Sequence, residues 1–268
     1  MYKVAVSVIC YDNEKEVLEF AKKLSEQKKS EEIILLVTCN KCSDVKRLKS
    51  ELNCIKISSM VFDPQVNLGY LHGCLFGLEE FGEEYDYAVI SNTDIDFVTY
   101  DFFEKLITND YNRKIGCIGP DIVLKETGKH QNPFSIYRPD KKLMKLRKLV
   151  YDNYFLYNLY FMLSKIKNNI SKGEIQQKKG YVYSVHGSVF ILKKECIDKF
   201  LKDNIQIFMY GEELYVAEKL KENQMLLYYD NDLKIIHNEN QVTGKIASRR
   251  KQEWFSQSTK FLVDRFWK

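Results

Sequence analysis

The strongest constraint on this chain is the way short apolar runs alternate with helix-period segments through its first third. Val4-Ala5-Val6-Ser7-Val8-Ile9-Cys10 is short and rich in β-branched residues, which reads as a buried strand. Glu14 to Gln27 then carries Val17, Leu18, Ala21 and Leu24 at helical spacing. Ile33 to Val37 is a second apolar run, Asp44 to Leu52 a second helix and Lys56 to Phe62 a third strand. Gly69 to Phe81 reads as a third helix and Tyr87 to Ile90 as a fourth strand. This alternation predicts an α/β fold with a mostly parallel central sheet and helices on both faces. Ligands of such sheets bind outside the carboxyl ends of the strands. Chemistry is therefore sought in Tyr11-Asp12-Asn13, in Thr38 to Asp44 and in Ser91 to Phe97.

Length and charge narrow the classes. A chain of 268 residues fits one large domain with one main active site. Its 45% apolar and 29% charged residues are those of a globular protein with a sizeable core. A net charge of +4 is too small to argue for nucleic acid as a partner. Seven cysteines, an odd number, and an N-terminus whose one apolar run is broken by Asp12 predict a reduced, cytoplasmic protein. No uncharged apolar stretch reaches the roughly 18 to 20 residues of a membrane span, and Asn153 to Ser164 is the longest rival. The composition changes from Lys141 to Lys179, where lysines and an arginine lead into Tyr151, Tyr154, Phe155, Tyr157, Tyr160 and Phe161. This basic and aromatic insertion, 141–180, is expected to be helical. It suits either peripheral contact with an anionic membrane face or packing on the core or a second subunit. Beyond it, Tyr181 to Leu192 alternates as a strand does, Glu212 to Glu222 reads as a helix, and Leu233 to Ile236 is a last apolar patch.

Several short patterns carry chemistry. Asn92-Thr93-Asp94-Ile95-Asp96 places two carboxylates two residues apart at a strand's carboxyl end. Hard cations such as Mg²⁺ and Mn²⁺ take one or two carboxylates and leave positions for substrate phosphates. The same aspartates would also serve to cap a helix beginning near Tyr100. Glu212-Glu213 opens a helix, where the macrodipole favours acidic residues without any function. A carboxylate held there is also suited to take a proton from an attacking hydroxyl. Gly187-Ser188 at the start of an apolar strand permits close approach of a ligand or marks a plain turn, and His237 ends another apolar run. Cys39-Asn40-Lys41-Cys42 is a C-x-x-C, but with no second pair at zinc-finger spacing it is not expected to hold zinc or to serve redox chemistry. The glycines from Gly69 to Gly77 do not form a dinucleotide fingerprint.

Taken in order, these pieces resemble glycosyltransferase family 2, the inverting GT-A transferases, and especially its rhamnosyltransferase-like branch. The matching series is Val6 to Asn13, Asn40 to Asp44, Asn67-Leu68-Gly69-Tyr70 with Gly73 and Gly77, Asn92-Thr93-Asp94, Gly187-Ser188, Tyr210 to Glu213, and His237. The resemblance implies one domain over 1–268, with a nucleotide-binding half at 1–98 and an acceptor half at 99–268. It implies transfer of a sugar from a nucleotide-diphosphate donor to the hydroxyl of a glycan or lipid-linked acceptor, at the inner face of the cell membrane. By the same resemblance Cys10, Tyr11, Asn13, Asn40, Asp44, Asn67, Gly69 and Asn92 face the donor, and Gly187 and Ser188 border the sugar. Asp94, with Asp96 and His237, would hold Mn²⁺ or Mg²⁺, and Glu213 or its neighbour Glu212 would be the base. Cys39 stands where the family carries an aspartate that reads the nucleotide, and Asp44 is the available substitute. The Q/R-x-x-R-W signature of processive polymerases is absent, which implies transfer of a single sugar. A sugar nucleotidyltransferase would need a glycine-rich basic loop after the first strand, where this chain has Tyr11-Asp12-Asn13-Glu14. An inactive sugar-nucleotide-binding subunit stays open at this point.

Overall fold

The computed structural model describes residues 2–170, 177–239 and 248–268. The first half follows the alternation in the sequence: β1 (Val4–Tyr11), α1 (Glu14–Ser25), β2 (Ile33–Lys41), α2 (Val45–Asn53), β3 (Ser58–Phe62), α3 (Tyr70–Phe81) and β4 (Tyr87–Ser91). These strands pair in parallel, in the order β3-β2-β1-β4. Both faces of β1 are buried, as a continuous apolar run requires. Val4, Val6 and Val8 pack with Phe20 and Leu24 of α1 on one side of the sheet. Ala5 packs with Leu71, Cys74 and Leu78 of α3 on the other. Each such side chain contributes roughly 1.5–3 kcal/mol when fully buried, so the two helices hold the sheet from opposite faces.

The second half comprises β5 (Ile95–Phe97), α4 (Phe102–Thr108), β6 (Ile115–Leu124), α5 (Lys141–Asp152), α6 (Tyr154–Ile170), β7 (Gly180–Val182), β8 (Val189–Lys193), α7 (Lys194–Leu201), α8 (Glu212–Glu222), β9 (Leu226–His237) and α9 (Ser248–Phe266). The sheet continues β4-β8-β6-β9-β5, with β7 also on β9. Only β6 and β9 are parallel here; the β4–β8, β6–β8, β5–β9 and β7–β9 pairs are antiparallel. The sheet is therefore parallel where the chain alternates strand and helix, and mixed beyond. The stretch from Tyr181 to Leu192 is two strands rather than one. β7 and β8 pair with different partners because Ser184 to Ser188 turns the chain across the site. β9 is the hinge of this half: its first residues pair with β7 and its last three with β5, which puts His237 opposite Ile95.

The insertion is helical through α5 and α6, and 171–176 lies outside the described residues. Tyr151, Tyr157 and Phe161 gather round Phe255 of α9, with the rings of Tyr151 and Phe161 each 5.4 Å from it. Other apolar side chains of the pair, including Leu146, Leu149 and Phe155, are exposed, Phe155 by 74%. No helix among the described residues is long and apolar enough to cross a membrane.

Candidate active site

The loop after β4 and the end of β9 bring Asp94 and His237 together. His237 Nε2 lies 3.3 Å from Asp94 Oδ1, with the two side chains only 5% and 11% exposed. Gln131 Oε1 is 2.8 Å from His237 Nδ1. An amide oxygen only accepts, so Nδ1 donates to Gln131 and Nε2 faces the carboxylate. An imidazole nitrogen and a carboxylate oxygen this close make a pair of potential ligand atoms, and a histidine whose far nitrogen is held by an acceptor is the usual arrangement around a bound metal. His186 adds a second imidazole, 6.0 Å from His237 between ring centroids. Burial drives its titration down to about 4, so it is neutral at physiological pH. Neither aspartate of the motif caps the following helix: α4 begins after Asp101.

Asp96 is turned elsewhere. It pairs with Lys23 of α1 at 2.5 Å and accepts from Asn238 Nδ2 at 2.9 Å. Burial opposes its ionisation, but Lys23 and Asn238 outweigh that and hold its carboxyl below the usual range. Asp94 lies in the turn before β5 whereas Asp96 lies within the strand, so the alternation that would put i and i+2 on one face does not govern the pair, and the two carboxylates meet different partners.

The residues expected to face the nucleotide form a connected rim at the carboxyl ends of β1, β2 and β4. Asn13 Nδ2 donates to Thr93 Oγ1 at 3.0 Å, tying the first loop to the Asp94 loop, and its Oδ1 accepts from the Tyr11 backbone. Asn40 donates to the Gly69 carbonyl at 2.7 Å and accepts from Leu68 N, while Asn67 accepts from Gly69 N. Gly69 is required there: its φ is +78°, and a Cβ would lie 2.1 Å from the Phe208 carbonyl oxygen. Tyr11 is 40% exposed with Lys41 over its ring, whereas Asp44 accepts from Arg47 N as the cap of α2.

Glu212 and Glu213 open α8. Glu213 Oε1 accepts from Gly187 N at 3.2 Å, and a Cβ on Gly187 would meet that oxygen at 2.9 Å. The Asn92 backbone donates to the Ser188 carbonyl at 2.8 Å, so the Gly187-Ser188 turn bridges the acid pair and the Asp94 loop. Burial, then the like charge of Glu213, raises Glu212 well above the carboxylate range, and burial raises Glu213 too. Tyr70 senses both clusters: burial and the charges of Glu212, Asp94 and Glu213 push its hydroxyl well up. The acid pair is braced from behind by α9. Tyr210, at φ +66°, stacks on Phe255 with centroids 4.2 Å apart, and Ser258 Oγ donates to the Met209 carbonyl. Gln131, His186 and α9 were not singled out by the sequence, and Tyr70 entered only as the end of the Asn67-to-Tyr70 series. Gln131 lies where no periodic pattern marks an element, and only β9 passing beside it reveals what it touches.

GalNAc-T7, solved with UDP, GalNAc and Mn²⁺, is similar to this chain with a TM-score of 0.61 at 9% identity, over 89% of this chain and 44% of that one. The mannosyltransferase PcManGT from Pyrobaculum calidifontis, solved with GDP-Man and Mn²⁺, gives 0.59 at 11% identity, over 98% of this chain and 65% of that one. The chain has a GT-A fold. It spans less than two thirds of either of these proteins. No protein-family model and no curated protein matches it in sequence. In the GT-A frame, the Asp94 loop follows the strand at which the sheet changes from parallel to antiparallel pairing, the kind of position where α/β sheets leave a crevice.

Proposed function

We propose that this chain is a metal-dependent glycosyltransferase that moves a single sugar from a nucleotide-diphosphate donor to an acceptor hydroxyl with inversion. The observation that carries this reading is Nε2 of His237 lying 3.3 Å from Asp94, with the Glu212–Glu213 pair tied to the same loop through Gly187-Ser188. The presence of Mn²⁺ and nucleotide or nucleotide sugar in both structural neighbours supports it. Asp94 and His237 would hold Mn²⁺ or Mg²⁺, with Asp96 steadying the loop through Lys23. Bound there, the cation neutralises charge on the departing diphosphate. Gln131 orients the His237 ring, and Asn13 holds the Asp94 loop through Thr93. Gly187-Ser188 borders the sugar and positions Glu213, which accepts the proton of the acceptor hydroxyl as that oxygen attacks the anomeric carbon. A single displacement of this kind inverts the configuration, through a transition state of oxocarbenium character.

The acceptor in this reading is lipid-linked or part of a surface glycan, and the exposed apolar side of α5 and α6 rests on the inner face of the membrane beside it. Apolar side chains alternating with lysines suit the headgroup region. The test is donor turnover by the purified protein with Mn²⁺ across a panel of nucleotide-diphosphate sugars. Turnover of at least one donor, lost on chelation of the metal, is expected. Tight donor binding without turnover on any acceptor would make the chain a binding subunit and overturn the catalytic reading.

A further inference from the structure

Away from Asp94, three thiols meet at the carboxyl ends of β1 and β2. The ligand sulfurs of Cys10, Cys39 and Cys42 all lie within 4.8 Å of one another. The spacing of Cys39 and Cys42 alone would put them on opposite faces of a strand, since side chains alternate. The register between β1 and β2 shifts here, however: Cys10 pairs with Cys39 but Tyr11 pairs with Lys41, leaving Asn40 as the extra residue of a bulge. The bulge absorbs one position, so Cys42 returns to the face of Cys39, and the parallel pairing sets Cys10 beside both. The C-x-x-C thus gains its third thiol from a strand some thirty residues earlier in the chain.

We propose that Cys10, Cys39 and Cys42 form a binding site for a thiophilic divalent cation of the Zn²⁺ class, separate from the oxygen- and imidazole-lined Asp94 site. Soft thiolates select such ions over Mg²⁺ or Mn²⁺. Tetrahedral metal–sulfur bonds of about 2.3 Å space the sulfurs roughly 3.8 Å apart, within a small side-chain adjustment of the observed cluster. Cys10 and Cys39 are buried, while Cys42 is half-buried at the solvent edge, which leaves the fourth position for water. Contact with Cys39 and burial push the Cys10 thiol well up, and burial pushes Cys42 up to about 11. Full ligation displaces three protons, so affinity falls steeply as pH is lowered. The ion would staple the β1 loop bearing Asn13 to the β2 loop bearing Asn40; that consequence alone rests on the donor-binding reading above.

The test uses the full chain, reduced and stripped of metal, titrated with Co²⁺ and then Zn²⁺. A sulfur-to-cobalt charge-transfer band saturating at one equivalent, and removed by one equivalent of Zn²⁺, is expected. Cys42→Ser should weaken the band's affinity by more than the roughly 10- to 100-fold that an outer-shell change costs. Cys54→Ser, at an exposed cysteine on α2's far end, should leave it unchanged. Asp94→Ala should also retain it, which separates this site from the catalytic reading. As a second measurement on the unmutated chain, Zn²⁺ should protect Cys42 but not Cys54 from alkylation. Absence of the band together with equal alkylation of the two cysteines would mean that the thiols only pack, and the proposal would be wrong.

Discussion

The two walls of the candidate site, the Asp94 loop and the acid pair, are built differently. The Asp94 wall comes from consecutive strand-end loops of a parallel sheet, and Asn13, Thr93, Asn40 and Gly69 knit those loops together over short distances. The acid-pair wall depends on parts distant in sequence: Gly187 before β8, Phe208 to Gly211 before α8, and α9 behind them. The first wall is fixed by alternation and strand pairing, whereas the second is fixed by packing. Chemistry on the first wall therefore tolerates changes in its neighbours better than chemistry on the second.

The largest effect should come from the first wall. Asp94→Ala should lower donor turnover by roughly 10³-fold or more, the several kcal/mol expected of a lost metal ligand, with its circular dichroism and unfolding midpoint near those of the parent. Activity within tenfold of the parent would break the comparison at its root. On the second wall, Glu213→Gln should cost about 10²- to 10⁴-fold in kcat while donor binding, followed by calorimetry, is kept. A variant that loses donor affinity instead would move Glu213 from the acceptor to the donor side.

Where the walls touch, Gly69→Ala drives a Cβ into the Phe208 carbonyl and strains a positive φ. It should lower stability by about 2 kcal/mol or more in urea unfolding. The acid pair adds a pH signature. Folded Glu212 retains its proton up to about 8 against an ordinary 4.5, so between those values the folded chain binds more protons than the unfolded one. Stability should therefore fall as pH rises through this window, while proton acceptance by the pair, and with it kcat/KM, should rise. Glu212→Gln should flatten the stability slope; an unchanged slope would place the titration elsewhere. The smallest effect is expected for Asp96→Asn, within about 1 kcal/mol in stability and about tenfold in activity, because its partner Lys23 is itself partly exposed.

Asp94 and Asp96 show how far sequence reading reaches. The motif's position after a strand was legible, since an apolar run followed by polar residues marks a strand end. That only Asp94 meets His237 was not, because it depends on β5 pairing with β9 some 140 residues along the chain. Likewise β6 carries no alternation that separates it from a buried helix segment, and the single strand expected over Tyr181 to Leu192 is broken by a turn whose Gly187 N–H donates to Glu213.

By itself, the sequence determined the α/β class, the parallel first half and the strand-end loops, because hydrophobic periodicity is a local property that the backbone converts directly into elements. Which carboxylate faces the imidazole, how α9 braces the acid pair, and the meeting of Cys10 with Cys39 and Cys42 were decided only by the tertiary structure. Those outcomes depend on strand order, register and one bulge, and such long-range pairings leave no periodic trace in the chain that makes them.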